Sequence, residues 1–113
     1  YFVLMSLIYR LHCVFLYLSL IYSAVPYAAM TGKEIYEQHC HICHASGLAG
    51  APKFQDKADW SKRCEEKHLS GLVSSAIKGI NAMPAKGTCE ACQVLDIRHA
   101  IEYMVPKNDK KCQ

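Results

Sequence analysis

Between Tyr1 and Met30 the chain has no acidic residue, and Arg10 is the only lysine or arginine there. From Leu11 to Ala29 nothing is charged at neutral pH, apart from occasional protonation of His12. So little charge excludes an ordinary solvated segment. It matches an export leader: a basic residue, an apolar stretch, then small residues near a cleavage point. Tyr1 is not an ordinary start, so Met5 is the expected initiator, and Cys13–Val25 has the length of a signal-peptide hydrophobic region. The cleavage point is untidy, since a cut after Ala29 leaves bulky Tyr27 three residues before it and a cut after Ala28 leaves Pro26. An uncleaved membrane anchor through residues 11–29 is therefore the alternative, because roughly 18 or more apolar residues can span a bilayer. Residues 1–30 are thus read as a signal peptide or N-terminal anchor, and residues 31–113 as one exported domain.

Three further absences narrow the class. Nothing alternates with the two-residue period of a strand, and no internal repeat is present. Strong charge is missing too: beyond the leader, twelve lysines and arginines face ten acids, a net charge of +2. That is too mild and too evenly spread for a nucleic-acid partner or an anionic membrane surface. What remains is helical. Thr31-Gly32-Lys33-Glu34 reads as a capped helix start, with the helix running to about Cys40. Gly47, Gly50 and Pro52 mark a loop, and Lys53–Asp59 reads as irregular. Asp59 is the expected cap of a short helix over 60–67, and Leu69, Leu72, Val73, Ile77 and Ile80 predict another. Asn81–Gly87 is a loop around Pro84. Ile97, Ala100, Ile101 and Met104 predict a last helix, with Asp96 near its start and Pro106 ending the segment. The expected fold is all-α, about four helices with long loops. So small a domain has little core to spare, and a large apolar group at its centre would help hold it together.

Seven cysteines are many for such a chain, and all but Cys13 lie beyond the leader. Cys40-His41-Ile42-Cys43-His44 is a complete attachment pattern for c-type haem. Two cysteines three apart can each form a thioether with one haem vinyl group. The histidine directly after them is then placed to bind iron. A Cys40–Cys43 disulfide with a bystander histidine is a competing reading. Zinc on Cys40, Cys43, Cys89 and Cys92 is another, but the 45 residues between the two pairs far exceed the usual 15–20.

A haem iron with histidine on one side often takes a methionine sulfur on the other. Met104 lies on the apolar face of the last helix, where packing accounts for it; Met83 sits in a loop before Pro84 and is the better candidate. His39 and His41 point away from the haem side of the motif and are expected in solvent, while His68 and His99 have no supporting context. Cys89 and Cys92 are followed by Gln93, which excludes a second attachment site. In an exported domain such a pair most simply closes as a disulfide. A redox-active dithiol is the alternative, without the βαβ setting such sites usually have. Cys64 and Cys112 could pair together, bond across a homodimer or stay free.

Taken together, Gly32-Lys33-Glu34-Ile35-Tyr36, the CHICH motif, Gly50-Ala51-Pro52-Lys53-Phe54 and Trp60 resemble a small bacterial class I cytochrome c. Asn81-Ala82-Met83-Pro84-Ala85-Lys86-Gly87-Thr88-Cys89, with Cys92, is similar to the cytochrome c5 branch in particular. The resemblance spans residues 32–105. It implies the class I cytochrome c fold around one covalent haem c, with Cys40 and Cys43 as thioether cysteines and His44 and Met83 as axial ligands. It also implies that the Pro52 carbonyl orients His44, that Gly32 and Tyr36 cross the last helix near Tyr103, and that Cys89 and Cys92 form the branch's disulfide. Cys64 and Cys112 depart from the branch pattern.

With both axial positions filled by protein, the expected function is single-electron transfer in a respiratory chain and not enzymatic catalysis. The expected partners are a donor cytochrome complex and an acceptor oxidase or reductase. The expected location is the periplasm. Lys53, Lys57 and Lys86 are expected near the haem edge, where they could steer an acidic partner. The alternative is a gas sensor or peroxidase with an open distal site, which requires Met83 to be away from the iron.

Overall fold

The computed structural model describes residues 1–21 and 29–112. Helix α1, Phe2–Ile21, carries Arg10 and His12 along its length. Among the described residues no helix is long and apolar enough to cross a membrane. Tyr27 and Ala28 of the expected cleavage point lie outside the described residues, as do residues 22–28 of the stretch 11–29.

Thr31 caps α2, Gly32–Ile35, with its hydroxyl accepting from the Glu34 N–H at 3.2 Å while the Glu34 carboxylate accepts from the Thr31 N–H at 2.7 Å. The same helical run continues through a wider π-helical turn, Tyr36–Cys40, into α3, His41–His44. It therefore goes one turn beyond the end expected near Cys40. Helix α4, Lys57–Lys78, starts earlier than expected. Its cap is Asp56, whose carboxylate accepts from the Asp59 N–H at 3.1 Å, whereas Asp59 accepts from the Lys53 N–H at 3.0 Å. The two predicted helices abut inside α4 without a loop, because one residue, His68, leaves helical geometry at φ 53° and ψ 178°. Helix α5, Val94–Met104, begins at a Gln93–Asp96 cap and ends before Pro106. Among the described residues there is no strand, only the isolated bridge between Ile80 and Met83. The architecture of the described residues is all-α, as expected.

Helix α5 is the centre of the packing. Ile97, Ala100, Ile101 and Met104 are buried on one face of it, against Ile35 and Tyr36 from one side and Leu69, Leu72 and Val73 of α4 from the other. The α2–α5 crossing is close because Gly32 has no side chain: a Cβ there would collide with the His99 carbonyl. Beside it, Tyr36, Phe54 and Tyr103 make mutual tilted ring contacts, with centroids 4.8, 5.2 and 5.6 Å apart.

The C-terminal tail folds back on α4. Cys64 and Cys112 are disulfide-bonded, both buried, with their Cα atoms 4.6 Å apart. This answers the open question about the two cysteines within one chain, and it removes the exposed thiol on which a linked homodimer was weighed. Buried Asp109 accepts from the Ser61 hydroxyl at 2.9 Å and from the Lys111 N–H at 3.1 Å. The Lys111 N–H, then the Ser61 hydroxyl, hold its carboxyl below the usual range. A carboxyl lowered on folding contributes stability above its unfolded pKa, and that contribution fades as pH falls through the folded value. The haem-loaded protein should accordingly lose thermal stability below about pH 4, and Asp109→Asn should flatten that part of the profile. Equal acid slopes for the two proteins in thermal unfolding would refute this role.

Candidate functional site

The site is assembled from segments far apart in sequence. His44 ends α3 and is buried; its Nδ1 lies 2.8 Å from the Pro52 carbonyl. That oxygen can only accept, so Nδ1 carries the proton and Nε2 is left with its lone pair for a metal. The loop presenting Pro52 is itself held. The Trp60 indole donates to the next carbonyl, that of Lys53, at 2.8 Å, and the Phe54 N–H donates to the His44 carbonyl at 2.7 Å. The His44 and Trp60 rings lie nearly parallel, 15° apart, with centroids separated by 6.2 Å.

Met83 comes from the segment after α4. The Ile80 and Met83 backbones exchange hydrogen bonds of 2.9 and 3.0 Å across a tight turn whose first corner, Asn81, has φ 52°. Gly79, at φ 81°, makes the turn possible, since a Cβ there would stand 2.9 Å from both the Met83 carbonyl and the Ala85 N–H. The Lys86 N–H then ties the loop back to the Ala76 carbonyl of α4 at 2.7 Å. Cys89 and Cys92 are disulfide-bonded beyond it and buried, closing the turn that leads into α5.

His44, Pro52 and Met83 all line one cavity of about 380 Å³, whose wall also has an apolar part with Leu72, Ile101 and Met104 and a polar part from α4. Cofactor sites typically have this character, concave and mostly apolar with a few placed polar groups, in volumes of about 300–1,000 Å³. Cys40 and Cys43 are the free cysteines of residues 29–112 and lie on the same helical run as His44. Burial, with a smaller contribution from Cys43, pushes the Cys40 thiol up to about 11. The donor set, the free thiol pair and the apolar cavity fit a covalently held haem.

Of the remaining residues singled out in the sequence, His39 is the one that stands elsewhere than expected. His41 is exposed, but His39 is half-buried and contacts Thr88. His68 and His99 are exposed. Met104 is buried in the core, and its side chain also reaches the cavity. None of Lys53, Lys57 and Lys86 lines the cavity; Lys62, Arg63 and Lys67 of α4 do. Glu66 lines the cavity beside them and pairs with Lys62 at 3.9 Å, which leaves Arg63 and Lys67 as the cations that suit the carboxylates of a haem. Sequence reasoning missed them, although the Trp60-x-x-Arg63 spacing places both residues on one helix face.

The fold and the site together define a small monohaem c-type cytochrome. A family model described as cytochrome C oxidase, cbb3-type, subunit III, matches residues 27–104. Cytochrome c5 of Ectopseudomonas mendocina is 44% identical over 77 residues, covering 67% of this chain and 88% of that protein. A mono-heme ferrocytochrome c from Shewanella putrefaciens superposes with a TM-score of 0.60 at 41% identity, covering 66% of this chain and 91% of the other. A chain in the crystal structure of an electron transfer complex of nitrite reductase with cytochrome c superposes with a TM-score of 0.61. It is 33% identical, over 73% of this chain and 94% of its own. The chain belongs to the class I c-type cytochromes, of the c5 type, and carries one covalently attached haem c.

Proposed function

We propose that this protein carries single electrons in a periplasmic respiratory chain, with His44 and Met83 as the axial ligands of its haem. Electron transfer as such belongs to its class; the ligand pair, the compartment and the partners are the finer reading. The observation that carries it is a cavity lined by both His44, at the end of α3, and Met83, from the loop after α4. The haem supplies a one-electron iron couple. The chain's own residues hold that couple in place: Pro52 fixes the His44 tautomer, Trp60 and Asp59 hold the Pro52–Lys53 loop, and Gly79 permits the turn that presents Met83. With both ligand positions taken, no coordination site is left for a substrate, which argues against an enzyme. The gas-binding or peroxidatic alternative is not favoured, since the relatives are cytochromes c5, c-555 and c-551.

Residues 1–30 are read as the leader that exports the domain at 31–113, and the two disulfides accord with an oxidising compartment. Partners are read as respiratory redox proteins, a cytochrome complex as donor and a terminal oxidase or reductase as acceptor. The similar chain from a nitrite reductase complex supports a redox enzyme as acceptor. Such docking buries little surface and is transient.

Met83→Ala tests the ligand assignment. The oxidised wild-type protein should show the weak far-red sulfur-to-iron band, and the variant should lose it and turn high-spin. Its reduction potential should drop by on the order of a few tenths of a volt, within the ≈ 0.8 V that axial ligands span. A variant that keeps both the band and the potential would remove Met83 from the iron. A mature mass that retains the leader from Met5 onward would instead favour the anchored form.

A further inference from the structure

We propose that His39 and Thr88 form a clamp that positions the Met83 loop against the haem-attachment segment. The inference rests on Met83 being the distal ligand. His39 immediately precedes the first thioether cysteine, and Thr88 lies five residues after Met83, just before Cys89. His39 Nδ1 stands 3.2 Å from Thr88 Oγ1, and the Thr88 hydroxyl donates to the His39 carbonyl at 3.4 Å. A threonine hydroxyl has one hydrogen. If it is given to the carbonyl, the imidazole must donate from Nδ1, so the two bonds are compatible only with a proton on that nitrogen. Gly87 presses against the same place, since a Cβ on it would stand 3.3 Å from the His39 carbonyl.

The other restraints on the loop run elsewhere. The Ile80–Met83 pair and the Gly87–Pro84 bond are internal to it, and the Lys86–Ala76 bond anchors it to α4. The Cys89–Cys92 disulfide closes the turn that follows. His39 and Thr88 are the pair that joins the loop by side-chain hydrogen bonding to the segment carrying Cys40, Cys43 and His44, across 49 residues of sequence. Both ligands are thereby referenced to one piece of backbone. A ligand loop tied in this way has fewer arrangements in which sulfur leaves the iron, and so keeps its ligation through changes of redox state.

The test uses the haem-loaded protein and follows two signals on heating, the far-red sulfur-to-iron band of the oxidised form and the helical signal of the whole fold. In His39→Ala and in Thr88→Val, the fraction that has lost the band at a temperature below global unfolding should rise about three- to tenfold, the effect of one net hydrogen bond. The helical transition should move less, and the double variant should be no worse than Thr88→Val, which by itself removes both hydrogen bonds. His39→Asn, which keeps a donor near the Nδ1 position, and Thr88→Ser should restore the wild-type band. A band that fades only together with the helical signal in every variant, or that Asn and Ser fail to restore, overturns the clamp. A wild-type protein with no far-red band overturns the Met83 reading itself and the clamp with it, so the two failures are distinguishable.

Discussion

Gly32→Ala should destabilise the haem-loaded protein by roughly 3 kcal/mol, at the top of the usual range for overpacking, and lower its unfolding temperature by roughly 12–24 °C. The added methyl group meets backbone, not a movable side chain. It would collide with the His99 carbonyl and stand 3.2 Å from the Ala100 nitrogen. Those atoms belong to the helical ladder of α5, so they yield only if the helix shifts. A shift moves Ala100, Ile101 and Met104, which are buried in the core, and Ile101 and Met104 also wall the cavity. Alanine's better helix propensity offsets part of the cost, but only part, because Gly32 is the first residue of α2, where propensity counts least. Denaturant unfolding at constant m-value would measure the loss. A change below about 1 kcal/mol, the ordinary scale of a point substitution, would show that the crossing relaxes and that Gly32 is not what sets it.

Removing the Cys64–Cys112 bond should have an effect of similar size. The two residues are 48 apart in sequence, and the chain-entropy relation gives about 4 kcal/mol for closing a loop of that length, against about 2 kcal/mol for the three-residue separation of Cys89 and Cys92. Cys64→Ala with Cys112→Ala should therefore cost more global stability than Cys89→Ala with Cys92→Ala. The order should reverse at the ligand. The long-range bond holds the tail, together with the Ser61–Asp109 hydrogen bond and the Lys111–Glu65 ion pair, on the first half of α4. The short one closes the turn directly after the Met83 loop. Its loss should weaken the far-red band before the fold melts, whereas loss of the tail bond should leave the optical spectrum unchanged until global unfolding. Thermal unfolding followed by both signals, with masses confirming that each remaining pair is oxidised, would compare them. Equal losses in the two double variants would contradict the entropic account.

Much of the site was legible because its signals are local. The attachment motif lies within five residues, the Thr31–Glu34 cap within four, and the apolar spacing of α5 within eleven. The break between the two predicted helices falls at His68, directly before Leu69 opens the apolar spacing with Leu72 and Val73. Other features misled a local reading for an identifiable reason. The cap read at Asp59 belongs to Asp56 instead, because the Lys53 N–H takes the Asp59 carboxylate once the Pro52 loop is packed. His39 looks like a solvent residue when only its helical phase is considered. Its partner Thr88 arrives from 49 residues away.

The sequence alone determined the chemistry of this protein: an all-α chain, two cysteines and a histidine in attachment order, and a loop methionine before a proline. Each of these is written in neighbouring residues, where backbone periodicity and covalent spacing leave few choices. The tertiary structure decided what those residues meet. It joined Cys64 to Cys112, set Lys62, Arg63 and Lys67 at the cavity, and brought His39 to Thr88. Such contacts depend on how closely α5 approaches its neighbours, and that distance is set by the absent side chain of Gly32 and by packing summed over the whole core.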